Sequence, residues 1–154
     1  MKTVNQWLDE YGESHKNETN KSIHWVCVPA IFFSIFGVLY TIKVPLWIDG
    51  HHLNVAMFAM ALVILYYLRL SLSLGIGMLF FGIVCLILYH LIEKYIPVSL
   101  WIVCLVIFVV AWVGQFYGHN IEGKKPSFLK DIQFLLIGPM WLMSFIYKKM
   151  GIAF

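Results

Sequence analysis

Two short stretches hold the residues with most capacity for chemistry. The first is HKNETNKSIH, residues 15–24, and the second is GQFYGHNIEGKKPSF, residues 114–128. In the first, Asn17, Asn20 and His24 fall at i, i+3 and i+7 and share a helix face. His15 and His24 are nine positions apart, which puts them on opposite sides of an unbroken helix at about 100° per residue. One ion can bind both only if the chain turns between them. Asn17, Thr19 and Asn20 are all suitable N-cap residues, so a helix starting there, with His15 on the preceding segment, provides that turn. In the second stretch His119 and Glu122 are i, i+3 neighbours that can present an imidazole and a carboxylate to one point. Two or three histidines with a carboxylate and no cysteine suit a borderline first-row ion. Fe(II) with open coordination positions is one candidate and Zn(II) the other.

The rest of the chain must bring these residues together. Of 154 residues 61% are hydrophobic and only 12% charged, with a mean hydropathy of +0.82. An all-α integral membrane protein is expected, in a bacterial inner membrane or the endoplasmic reticulum, with lipid as its surroundings and no nucleic-acid partner. Four spans free of Asp, Glu, Lys and Arg are expected at about 22–42, 50–68, 70–92 and 95–118, each near the ~20 residues that cross ~30 Å of hydrocarbon. A fifth apolar segment, 132–147, contains Gly138 and Pro139; it either spans or enters the membrane and turns back. Val4, Trp7, Leu8 and Tyr11 mark one face of an amphipathic helix within 1–21, which lies on the membrane or covers the bundle. Cys27, Cys85 and Cys104 sit singly in apolar runs and suggest no disulfide or zinc framework. Nothing divides the chain, so residues 1–154 read as one helical domain.

Lys/Arg bias sets the orientation. With five spans, Lys2, Lys16, Lys21, Arg69, Lys124, Lys125 and Lys130 share the N-terminal side against four basic residues opposite; with a re-entrant last segment the balance becomes nine to two. The bias favours four spans with both ends cytoplasmic. His15 and His24 then precede or open the first span and His119 closes the fourth, so all three reach one cytoplasmic face. His51 and His52 follow one crossing and His90 three, which assigns them to the other face.

The paired patterns H-x-N-x-x-N-x-x-x-H-x-x-x-x-P (His15, Asn17, Asn20, His24, Pro29) and W-x-x-Q-F-x-G-H-x-x-E-x-x-x-P (Trp112, Gln115, Phe116, Gly118, His119, Glu122, Pro126), with a later Gly-Pro, resemble the 2-hydroxy fatty acid dioxygenase family, whose fungal member acts in phytosphingosine breakdown. The resemblance spans nearly the whole chain and is weakest between Lys43 and Ser99. It implies Fe(II)-dependent, 2-oxoglutarate-independent α-oxidation: a 2-hydroxy fatty acid and O₂ give CO₂ and a fatty acid one carbon shorter. The family's essential histidines map onto His15, His24 and His119. Glu122 is added as a fourth ligand or as a partner of a ligating ring, because such imidazoles need an acceptor for their second N–H.

Asn17, Asn20, Gln115 and Asn120 are candidate hydrogen-bond donors to the substrate, each equally suited to a cap or an interhelical contact. Lys124 and Lys125 are either attractors for an anionic head group or a solvated loop. Rival readings are a membrane zinc hydrolase acting on a lipid, although HExxH is missing, and a non-enzymatic helical scaffold. His51, His52 and His90, the acyl-chain length and the oligomeric state have no assignment.

Overall fold

The computed structural model describes residues 2–48, 51–123 and 133–154. Lys124, Lys125, Pro126, Lys130 and Gly50 lie outside the described residues, as does the side chain of His51. The chain order is α1 (Val4–Gly12), α2 (Glu18–Thr41), β1 (Lys43–Ile48), β2 (His51–Asn54), α3 (Val55–Leu70), α4 (Leu72–Tyr95), α5 (Leu100–Glu122) and α6 (Gln133–Met150).

Among the described residues three helices, α2, α4 and α5, are long and apolar enough to cross a membrane. Their outward faces carry exposed Val26, Phe80, Val110 and Val113, an apolar surface compatible with insertion into a membrane. The apolar α3 has 16 residues, about 24 Å at 1.5 Å per residue, which falls short of the hydrocarbon thickness. The stretch expected to begin a span at Gly50 takes another course. Lys43–Ile48 and His51–Asn54 pair as an antiparallel ribbon, and only at Val55 does a helix begin, with the Asn54 side chain accepting from Met57 N–H. The apolar run VPLWI looks like the approach to a membrane helix, but Pro45 cannot donate within a helix and the β-branched Val44 and Ile48 favour the extended form. Ser71 ends α3 and caps α4, so the two form a tight hairpin.

Small residues set the closeness of the helices. The packing of α2 on α5 is the most extensive in the bundle. A Cβ on Gly118 would sit 2.5 Å from Asn20 Oδ1, and one on Gly114 would sit 2.6 Å from Cys27 Sγ. Gly114-Gln-Phe-Tyr-Gly118 is thus a small-xxx-small contact stripe. Two tyrosines tie helices together: Tyr67 donates to Leu136 C=O (2.7 Å, α3 to α6), and Tyr89 donates to Phe33 C=O (2.7 Å, α4 to α2).

The N-terminal helix covers the bundle. Thr3 and Gln6 form a capping box, and Trp7, Leu8 and Tyr11 are buried on the face that packs against α6. Trp7 meets Phe134 edge-on at 5.6 Å, and Tyr11 lies 5.3 Å from Trp141. In turn α6 leans on α1, α2 and α4, while it scarcely meets α5. A small cavity lies among α1, α2, α5 and α6, with Val28 and Ile31 of α2 in its wall.

Candidate metal centre

The turn that the sequence requires between His15 and His24 is present. Helix α1 stops at Gly12, the backbone N–H of His15 donates to Gly12 C=O (3.0 Å), and α2 starts afresh with Asn17 as N-cap. The Asn17 side chain accepts from the N–H groups of Thr19 and Asn20 at 2.9 and 3.2 Å. This places His15 on the connecting turn, His24 in the second turn of α2 and His119 in the last turn of α5. All three are buried, at 1%, 1% and 4% exposure.

Their rings form a close triangle. Centroid separations are 4.3 Å for His15–His24, 4.9 Å for His24–His119 and 5.1 Å for His15–His119, with interplanar angles of 67–89°. One ring nitrogen from each lies within 4.8 Å of the others. The nitrogens that face inward are explained by those that face outward. His15 Nδ1 is 2.6 Å from Tyr11 C=O, and His24 Nδ1 is 2.8 Å from Asn20 C=O. A carbonyl can only accept, so each Nδ1 carries the proton and each Nε2 keeps its lone pair. Those two Nε2 atoms and His119 Nδ1 are buried and have no hydrogen-bond partner among the described residues. Unpaired buried acceptors are costly, and three aimed at a common space fit a cation with open affinity for imidazole. Burial holds the His15 imidazole down to about 4, against the raising effect of its bond to Tyr11, so it stays neutral and able to ligate at pH 7.

Glu122 reaches the same end of the bundle but its oxygens are occupied. Oε1 accepts from Lys16 N–H (2.9 Å); Oε2 accepts from Asn17 N–H (2.8 Å) and from Asn20 Nδ2 (3.1 Å). The carboxylate thus closes the C-terminus of α5 onto the N-terminus of α2, where free N–H groups and the helix dipole favour negative charge. Among the described residues the potential metal group holds His15, His24 and His119, without Glu122. Asn20 links the two sets: it is wholly buried, its amide also donates to Ser14 C=O (3.3 Å), and its backbone carbonyl orients His24.

The remaining candidates part company. Gln115 lies one turn before His119 and, with Tyr11, Val28, Ile31, Phe134, Leu135 and Gly138, lines a cavity of about 30 Å³ against the His119 ring. Asn17 is exposed and acts as the α2 cap, and Asn120 is exposed on the outer side of α5, away from the triad. One residue turns a helix by about 100°, so Asn120 sits on a different face of α5 from His119. Sequence reading missed Tyr11 and Trp141. Tyr11 stacks on His15 at 4.3 Å and 10°, and Trp141 lies 5.3 Å from the same ring. The signal for Tyr11 was its i, i+4 offset from His15.

At the other end of the bundle, His52 and His90 line a separate open cleft with Tyr40, Lys43 and Glu93. Among the described side chains, His15, His24 and His119 meet at one place, while His52 and His90 line another.

A family model described as 2-hydroxy-palmitic acid dioxygenase Mpo1-like matches residues 1–150. The chain belongs to the Mpo1-like family. Among curated proteins, the 2-hydroxy-palmitic acid dioxygenase MPO1 of Saccharomyces cerevisiae is 26% identical to this Mpo1-like chain over 146 residues, covering 94% of the chain and 79% of the yeast protein. No solved structure matches. The Mpo1-like match takes in α1, the histidine triad, Glu122 and all of α6.

Proposed function

We propose that this chain is a non-haem Fe(II) dioxygenase that carries out α-oxidation of 2-hydroxy fatty acids without 2-oxoglutarate. The balanced reaction is R–CH(OH)–COOH + O₂ → R–COOH + CO₂ + H₂O. The observation that carries this reading is the meeting of three buried imidazole nitrogens without partners, at the end of an apolar bundle, in a chain of this family.

His15 and His24 would hold iron through Nε2, and His119 through a ring nitrogen. Bound iron supplies a Lewis-acid template for a hydroxy acid and for O₂. The protein's own part is orientation and exclusion of water. Tyr11 C=O and Asn20 C=O fix two rings, and Glu122 and Asn20 hold the turn that carries His15. Glu122 is assigned this positioning role in place of ligation. Gln115 binds the polar end of the substrate in the small cavity that it lines with His119, and the alkyl chain extends from that cavity into the apolar surroundings of the bundle. We further assign four crossings, with α6 entering and returning, and the triad on the cytoplasmic face of a bacterial inner membrane or the endoplasmic reticulum.

The test is metal content of anaerobically purified protein together with O₂ uptake on 2-hydroxypalmitate, with 2-oxoglutarate omitted. Iron near one per chain and substrate-dependent uptake are expected. Bound zinc with no O₂ consumption would move the function to hydrolysis, for which three histidines are an equally good ligand set.

A further inference from the structure

Tyr11 is held on every side except at its hydroxyl. Its ring lies flat on His15 and against Trp141 and Phe134, and its carbonyl accepts from His15 Nδ1. The hydroxyl points at Gly138 of α6, where an added Cβ would come within 2.8 Å of the oxygen. A glycine is therefore required at 138 to leave room for a phenol, and the two residues together form part of the cavity that holds Gln115 and His119.

We propose that the Tyr11 hydroxyl is a substrate-binding group that donates a hydrogen bond to the carboxylate of the 2-hydroxy acid. This rests on the function proposed above.

Size and chemistry both select the carboxylate. The cavity, of about 30 Å³, has room for roughly two waters, which suits a three-atom polar head but no alkyl chain. Its polar lining includes the phenol O–H and the Gln115 amide, which offer hydrogens, and an ionised carboxylate only accepts them. No lysine or arginine lines it among the described residues. Val28, Ile31, Phe134 and Leu135 and the Trp112 indole make up most of the remaining wall, which is largely apolar, so a donor there is worth more than one in water. His15 ties the hydroxyl to the triad: any shift of the ring that binds metal carries Tyr11 with it, because the two are stacked and bonded.

The experiment uses full-length, Fe(II)-loaded protein under anaerobic conditions. Binding of 2-hydroxypalmitate is compared with that of 1,2-hexadecanediol, which keeps the chain and the 2-hydroxyl but lacks the carboxylate. Tyr11→Phe keeps the ring, the stack and the backbone bond. It is expected to retain wild-type metal content and melting temperature, to weaken the acid about tenfold and to leave the diol unchanged. Equal weakening of both ligands, no weakening of either, or loss of metal would overturn the assignment while leaving the proposed function intact. A wild-type protein that binds neither ligand overturns both. Gly138→Ala, which crowds the hydroxyl without removing it, is expected to erode the same acid-over-diol preference, and it decides the matter if Tyr11→Phe does not fold.

Discussion

Glu122 offers the sharpest separation of a ligand from a residue that holds ligands in place. Replacing it with alanine removes three hydrogen bonds, two to backbone N–H groups at exposed positions and one to the buried Asn20 amide. Water takes over at Lys16 and Asn17, so each of those bonds contributes about 0.5 kcal/mol. The Asn20 bond to a charged acceptor contributes about 1.5 kcal/mol, for a total of about 2–3 kcal/mol. Glu122→Gln retains the shape, but its amide can put oxygen at only one of two places that face donors. With oxygen kept at Oε2, the NH₂ confronts Lys16 N–H, and about one bond and the charge are lost. Stability should thus fall in the order wild type, glutamine, alanine. Metal affinity should fall about 10–100-fold for alanine, the usual cost of losing support behind a ligand, and less for glutamine. The assay is thermal unfolding of detergent-solubilised protein alongside metal content across a series of free-ion concentrations. If Glu122→Gln emptied the site as completely as His24→Ala, Glu122 would be a ligand and the assigned clasp would be wrong.

Three further outcomes follow from the geometry. His15→Ala, His24→Ala and His119→Ala should each lose metal and O₂ uptake, whereas His52→Ala and His90→Ala, at the opposite end, should keep both; equal loss from the two groups would dissolve the division. Gly118→Ala drives a methyl to 2.5 Å from Asn20 Oδ1 and should cost about 1–3 kcal/mol and weaken metal binding, while Gly114→Ala, opposed by the sulfur of Cys27, should cost less on thermal unfolding. Metal-free protein should lose stability on acidification: the His15 pKa is about 4 folded against 6.5 for the free side chain, so the unfolded chain takes up the proton first and stability falls as pH drops from 6.5 towards 4. A flat melting temperature across that range would contradict it.

What was legible in the sequence is local or counted. A helix start at Asn17, Thr19 or Asn20, with His15 left on the turn before it, follows from capping chemistry and from the nine-residue spacing, and the structure places the cap at Asn17. The meeting of His15, His24 and His119 on one face is expected from a count of four crossings; the structure brings the three rings together, with three helices long and apolar enough to span among the described residues. The ribbon formed by Lys43–Ile48 and His51–Asn54 was not legible because its short apolar run also looks like the approach to a membrane span, and its β-branched residues and Pro45 outweigh that only once pairing is seen. In sequence Glu122 reads as a fourth ligand or a partner of a ligating ring; its hydrogen bonds go to the Asn20 amide and to the main-chain N–H groups of Lys16 and Asn17, some hundred residues away, and backbone donors carry no letter. The close stripe Gly114-xxx-Gly118 was legible in principle, within the same motif that yielded His119. Tyr11 needed the third dimension, since its importance lies in a flat stack and in a gap opposite Gly138.

The two outward ring nitrogens, on His15 and His24, donate to peptide carbonyls of Tyr11 and Asn20, one helical turn back. Every amino acid supplies such an oxygen, so this part of the centre is copied faithfully however the side chains drift, and no comparison of related sequences would reveal it. It is also beyond the reach of ordinary mutagenesis. Weakening it takes a change to the main chain itself, such as an ester in place of the amide that follows Asn20, which makes the carbonyl a poorer acceptor and frees His24 to turn while every side chain stays as it was.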